Sequence, residues 1–324
     1  MSATGLGTAA TVRVERWPSE LPLQSMCILA SVAIYLLLVI SVVGVIYAAA
    51  IAAFVFVAHA AFAAHVRGSA VRLGPQQFPE LHRRVEDIAR RMGMEQVPDS
   101  YLMQAGGALN AFAMRFLGSN MIVLYSDLLE ACGANEAARD MIIAHELGHI
   151  KAGHVQVRWL IAPAMLVPFL GTALSRAREY TCDRYGLACA GDKGGALLGL
   201  TVLAAGGTHA PSVNQQALAR QREDLNTGWL TIGEWLGTHP PVAKRLAALE
   251  PALLAGTRTS FAGRLRAVAI IGVLGVVLLG GGAYAVIGFS RYMREVERST
   301  RAQQQSGHVL PLRGDSVRAG VAAP

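Results

Sequence analysis

Apolar residues gather in three blocks along the chain, separated by stretches of mixed polarity. Residues 21–66 contain no Asp, Glu, Lys or Arg. As helix they would extend about 69 Å, more than twice a hydrocarbon core of ~30 Å. The pattern predicts two membrane spans joined by a tight turn near Ser41 to Gly44, with one long projecting span as the alternative. The block is too long for the apolar core of a cleaved signal peptide. Residues 267–290 form a second charge-free block between Arg264/Arg266 and Arg291/Arg294, and predict one C-terminal span. The third block, Trp159 to Ser175, is shorter and broken by Pro163 and Pro168. It would reach only about 25 Å as helix. A single crossing there would put its two flanks on opposite sides of the bilayer. A buried or interfacial segment is expected instead.

Between the blocks the periodicities change. Leu81, Val85, Ile88 and Met92 recur at helical spacing, with Pro75 near the start, and predict an amphipathic helix over residues 75–93. Tyr101 to Met103, Leu109 to Phe116 and Met121 to Tyr125 read as short strands. Gly106-Gly107 and Gly118-Ser119-Asn120 separate them. A short helix follows from Ser126 or Asp127. A longer one begins after Asn135, a good N-cap, with Glu136 in its first turn. The expected fold is mainly α with a small β-sheet, of the α+β class. Its segments are a tail and membrane block (1–66), the domain carrying the chemistry (67–255), a C-terminal membrane helix with its flanks (256–297) and a polar tail expected to be disordered (298–324).

Composition supports the membrane reading. Of 324 residues, 16% are charged and 53% hydrophobic, and the mean hydropathy is +0.38. That is too apolar for an ordinary soluble enzyme, so a lipid bilayer is an expected partner. The net charge of +7 is explained by arginines flanking the spans. No basic run interleaved with aromatics points to nucleic acid. Cys27, Cys132, Cys182 and Cys189 form no CxxC pair; free thiols in a reducing compartment are expected. Arg67, Arg72, Arg83 and Arg84 follow the first block, against Arg13 and Arg16 before it. The positive-inside rule then places residues 67–255 in the cytoplasm of a multi-pass protein of the cell (inner) membrane. Arginines around the last span vote weakly the other way, and the reduced cysteines decide for the first block. His59 and His65, at the end of that block, receive no role.

The densest chemistry lies in His145-Glu146-Leu147-Gly148-His149. Residues four apart on a helix lie about 40° apart on one face. The two imidazoles can therefore bind one Zn²⁺, with Glu146 placed to act on a water. A catalytic zinc takes three protein ligands and keeps one position open. Ala152 and Val155 stand where a metzincin would carry Gly and His. His154 lies about 140° round the helix from His149 and is a poor third ligand. Glu179 is the better candidate. It is paired at i,i+4 with Asp183 on what reads as a second, antiparallel helix. Asp183 could then accept a hydrogen bond from the outer nitrogen of a ligand histidine and fix its tautomer.

Taken with Asn110-Ala111-Phe112 and Thr238-His239-Pro240-Pro241 followed by Arg245, these motifs resemble the HtpX and CAAX-prenyl-endopeptidase group of membrane gluzincins. The resemblance covers roughly residues 75–250 and is closer to the HtpX-like branch. It implies a zincin-like metalloprotease domain holding one zinc per chain through His145, His149 and Glu179, with Glu146 as general base. It further implies that Asn110, Ala111 and Phe112 belong to an edge strand that pairs with substrate backbone. His239 would stabilise the tetrahedral intermediate, with Arg245 its partner. Members of the group generally carry extra hydrophobic helices between the two zinc motifs, where this chain has only Trp159 to Ser175. The expected activity is zinc-dependent hydrolysis of protein or peptide substrates, membrane proteins above all, in quality control. Cleavage of lipidated C-termini and a non-catalytic zinc scaffold are the alternatives.

Overall fold

The computed structural model describes residues 11–256 and 260–306. Helices α1 (Glu20–Ile40) and α2 (Val42–Ser69) form the expected hairpin, broken at Ser41. Ser41 turns to extended geometry, and its hydroxyl accepts the Gly44 N–H at 3.1 Å, which caps α2. At 1.5 Å per residue, α1 is about 31 Å long and α2 about 42 Å. Leu29, Ile40 and Phe54 are among the large apolar side chains they leave exposed.

Strand β1 (Val71–Arg72), unforeseen in the sequence, leads to helix α3 (Pro79–Arg91). This helix is shorter than its predicted span because Gly74 and Gln77 close a bridge and Phe78 takes a left-handed φ of 55°. Strands β2 (Asp99–Met103), β3 (Ala111–Phe116) and β4 (Ser119–Tyr125) complete a four-stranded sheet in the order β1-β2-β4-β3. β2 and β4 are parallel, and the other pairs antiparallel. β3 therefore lies at an edge.

After α4 (Ser126–Ala131) comes the central helix α5 (Glu136–Lys151). Asn135 caps it as expected, its side chain accepting the Ala138 N–H at 2.9 Å. The segment from Trp159 runs through turns and a 3-10 helix at Pro163–Leu166 into α6 (Leu170–Cys189). Ile161, Ala164 and Leu174 bury against Cys27 of α1, and the Ser31 hydroxyl accepts the Ala164 N–H at 3.1 Å. The segment thus packs on α1 and forms no helix long enough to span a membrane.

Helix α7 (Lys193–His209) packs along α5. Two glycines allow the close approach. A Cβ on Gly186 of α6 would sit 2.8 Å from the Met141 carbonyl oxygen, and one on Gly199 of α7 would sit 2.9 Å from that of Ala138. Gly186 faces Met141 while Gly148 faces Cys182, so α5 and α6 are antiparallel. Helices α8 (Gln215–Arg220), α9 (Gly228–Leu236) and α10 (Val242–Leu249) follow. Leu246 and Ala247 of α10 pack with Met141, Leu197 and Leu200.

Helix α11 (Ala262–Ser306) carries the C-terminal apolar block, in a compact unit of its own from Leu265 onward. It runs past Arg298, where the sequence reading begins a disordered tail, because the polar residues there extend the helix. Residues 307–324 of that tail lie outside the described residues. Three helices, within Glu20–Ile40, Val42–Ser69 and Ala262–Ala302, are long and apolar enough to cross a membrane. All four cysteines are free and buried.

Candidate metal centre

Helix α5 sets His145 and His149 one turn apart, with ring centroids 5.2 Å from each other. Glu179 arrives from the antiparallel α6. Its Oε2 lies 3.4 Å from His145 Nε2, and its Oε1 lies 3.4 Å from His149 Nε2. These separations exceed ordinary N–H···O bonds. They match the edge of a ligand tetrahedron around zinc, about 3.3–3.4 Å when metal–ligand bonds are ~2.0–2.1 Å. The three ligand atoms lie within 4.8 Å of one another. Two imidazole nitrogens and a carboxylate form a set suited to a divalent transition metal, zinc in particular.

The electrostatics suit a cation. Burial opposes ionisation of Glu179, yet its contacts with His145 and His149 hold the carboxyl well below the usual range. Burial also works against the charged form of His145, but Asp183 and Glu179 hold its pKa up at about 10. Asp183 is fully buried and accepts from His145 Nδ1 at 3.0 Å. Arg245 grips that carboxylate bidentately, Nη2 to Oδ1 at 2.6 Å and Nε to Oδ2 at 2.9 Å. The resemblance led us to expect Arg245 beside His239. The hydrogen bonds of Arg245 go to Asp183, and it also faces Glu179, with Nη2 3.9 Å from Oε2. His239 Nε2 stands 3.7 Å from Glu179 Oε1, its side chain 68% exposed. Pro240 and Pro241 lead directly into α10, so His-Pro-Pro is also a helix start.

Glu146, His239 and the three candidate ligands all border one cavity of about 860 Å³. Asn110, Ala111 and Phe112 line the same cavity. The Asn110 carbonyl accepts the Tyr125 N–H at 3.2 Å. Alternation along an antiparallel pair then turns the backbone groups of Ala111, Ala113 and Arg115 away from β4. At the far end, His59 Nε2 of α2 lies 2.9 Å from the Arg115 carbonyl. The edge next to the cavity is therefore Ala111 to Ala113.

A model of peptidase family M48 matches residues 75–171 and 159–252, more than half of the chain. The chain belongs to peptidase family M48. Among curated relatives, a protease HtpX homolog of Halobacterium salinarum is 26% identical over 229 residues, covering 54% of this chain and 78% of its own length. Another HtpX homolog, from Salinibacter ruber, is 26% identical over 209 residues, covering 54% and 74%. A plastoglobule-localized metallopeptidase 48 of Arabidopsis thaliana is 29% identical over 165 residues, covering 46% of each chain. No solved structure matches. Family and architecture together make this an HtpX-like metallopeptidase associated with a membrane, acting on peptide or protein substrates.

Every residue singled out in the sequence for this M48 site borders the cavity or, like Asp183, stands directly behind it. The sequence reading missed a second layer. His154 is buried, with Nδ1 3.1 Å from His149 Nδ1 and Nε2 3.1 Å from Glu20 Oε1. Spacing had shown only that His154 is a poor ligand, and nothing in the sequence tied Glu20 to the centre. His149, His154 and Cys182 form a second group with ligand-like spacing. The two groups share His149, and the Cys182 Sγ lies 3.7 Å from His154 Nδ1; burial holds its thiol well above the ordinary pKa.

Proposed function

We propose that this M48 peptidase is a zinc endopeptidase whose domain over residues 67–255 works at the cytoplasmic face of the inner membrane, in quality control of membrane proteins. The carrying observation is the 3.4 Å spacing of both Nε2 atoms from the two Glu179 oxygens, beside Glu146 and a strand edge. Zinc, when bound by His145, His149 and Glu179, supplies Lewis acidity that polarises a peptide carbonyl and acidifies a water. Glu146 takes the proton of the attacking water and returns it to the leaving nitrogen. His239, exposed at the rim, stabilises negative charge developing on the carbonyl oxygen. Asp183 and Arg245 hold the His145 ring with its proton on Nδ1. The edge from Ala111 to Ala113 reads substrate main chain and so tolerates varied sequences.

Exposed or unfolded loops of membrane proteins fit a cleft tethered by three apolar helices. Arginine placement after the first hydrophobic block supports the cytoplasmic side. The cavity wall also includes Val55 and His59 of α2, which favours lipidated C-termini as a second substrate class. The test is casein-type proteolysis by the full chain with wild type and Glu146→Gln. The variant should keep its zinc and lose about 10²–10⁴-fold in rate. Undiminished cleavage would refute the base assignment. Turnover of a lipidated peptide in preference to an unfolded membrane protein would select the second class.

A further inference from the structure

Glu20 opens a membrane helix, yet it is fully buried. Its carboxylate collects donors from separate parts of the chain: Arg16 Nη1 at 2.7 Å, the Thr181 hydroxyl, and His154 Nε2 at 3.1 Å. Thr181 in turn accepts the Trp17 N–H at 2.8 Å, and Trp17 stacks on Tyr180 with centroids 4.4 Å apart. Arg184 donates to the carbonyls of Glu15 and Arg16 at 3.0 and 3.1 Å. The segment before α1 is thereby strapped across α6, and Glu20 is delivered to a fixed point beneath His149.

Hydrogen-bond direction follows from the groups themselves. An ionised carboxylate only accepts, so His154 donates through Nε2. A neutral imidazole that donates at one nitrogen accepts at the other. His154 Nδ1 faces the Cys182 thiol at 3.7 Å and His149 Nδ1 at 3.1 Å, and the shorter contact would oppose two lone pairs unless His149 Nδ1 donates. His149 then carries its proton on Nδ1 and its lone pair on Nε2, the atom facing Glu179. The reverse order would set a lone pair against a buried carboxylate 3.1 Å away and leave His154 Nε2 without a hydrogen bond. We propose that Glu20, acting through His154, is a positioning residue that fixes the tautomer and orientation of His149 for metal binding. The proposal rests on His149 being a zinc ligand.

The test uses the full chain in detergent micelles. Zinc affinity is read by chelator competition and the cobalt-substituted site by its visible spectrum, for Glu20→Gln, His154→Phe, His154→Gln and Arg16→Met. Glu20→Gln and His154→Phe should weaken zinc binding about 10–100-fold and alter the cobalt bands. His154→Gln, which can both accept and donate, should recover most of the affinity. Arg16→Met removes a partner of Glu20 but leaves the chain of hydrogen bonds, so it should lower Tm and spare the spectrum. An Arg16→Met spectrum changed as much as that of Glu20→Gln would reduce Glu20 to a structural role and overturn the proposal. If the Glu20 and His154 variants do not fold, nitrogen-15 spectra of histidine-labelled, zinc-loaded wild type decide. Two metal-bound imidazoles, both protonated at Nδ1, support it; a ring bound through Nδ1 overturns it. Wild type that binds one zinc, with Glu20→Gln and His154→Phe unchanged, overturns the relay alone. Wild type that takes up no zinc removes the metal centre as well.

Discussion

The two histidines of α5 are held by different parts of the molecule. His145 leans on Asp183, which Arg245 clamps, and all three lie within the stretch matched by the M48 model. His149 leans on His154 and, through it, on Glu20, which lies far outside that stretch at the head of the first membrane helix. One support is direct and entirely internal to the peptidase domain. The other runs through a second imidazole into the membrane anchor. On this account the anchor completes the site as well as tethering it.

The internal support should break most expensively. Arg245→Leu leaves Asp183 as a buried anion without its fork and should destabilise the fold by about 3–5 kcal/mol. Replacing Asp183 and Arg245 together by leucines should restore much of that stability while zinc affinity stays about 10–100-fold down. Urea unfolding and chelator competition on the same samples separate the two effects. A double variant with normal zinc affinity would show that His145 needs no support from behind.

Packing between α5 and α6 comes next. Gly186→Ala would bring a Cβ to 2.8 Å from the Met141 carbonyl oxygen, and should cost about 1–3 kcal/mol as the helices part. Because α6 carries Glu179, Asp183 and Thr181, both supports should loosen together. A drop in stability with no change in zinc affinity would mean the helices can shift without carrying the ligands along.

Protons distinguish the supports more finely. His145 has its pKa held up at about 10 by its acidic neighbours, while burial pushes His154 down to about 4. Zinc needs the neutral ring, so at pH 7 it must displace a proton from His145 and none from His154. Zinc affinity should therefore rise with pH, about tenfold per unit at that group. Calorimetric titration in buffers of different ionisation heat counts the released proton. A count of zero would contradict this charge distribution.

How far the sequence foretold this arrangement depends on the range of each interaction. The α5 start at Asn135, the break at Ser41 and the pairing of Glu179 with Asp183 rest on neighbours within four residues, and periodicity exposes such features. The α3 start was misplaced because a positive φ at Phe78 and the Gly74–Gln77 bridge leave little sequence trace. β1 was missed because two residues make no pattern. The hydrogen bonds from Arg245 to Asp183 left no trace in the sequence, since only packing of α10 on α6 brings the two together. Glu20 and His154 stand 134 positions apart. A lone acid before a membrane helix looks like helix-terminal charge until the fold buries it.

The most direct test of the centre is zinc K-edge X-ray absorption on the purified full chain with its metal content measured. The account predicts one zinc per chain in a shell of nitrogen and oxygen only, at ~2.0–2.1 Å, with the scattering signature of two imidazoles. A sulfur neighbour at ~2.3 Å would place the metal at Cys182 with His149 and His154, and would contradict it.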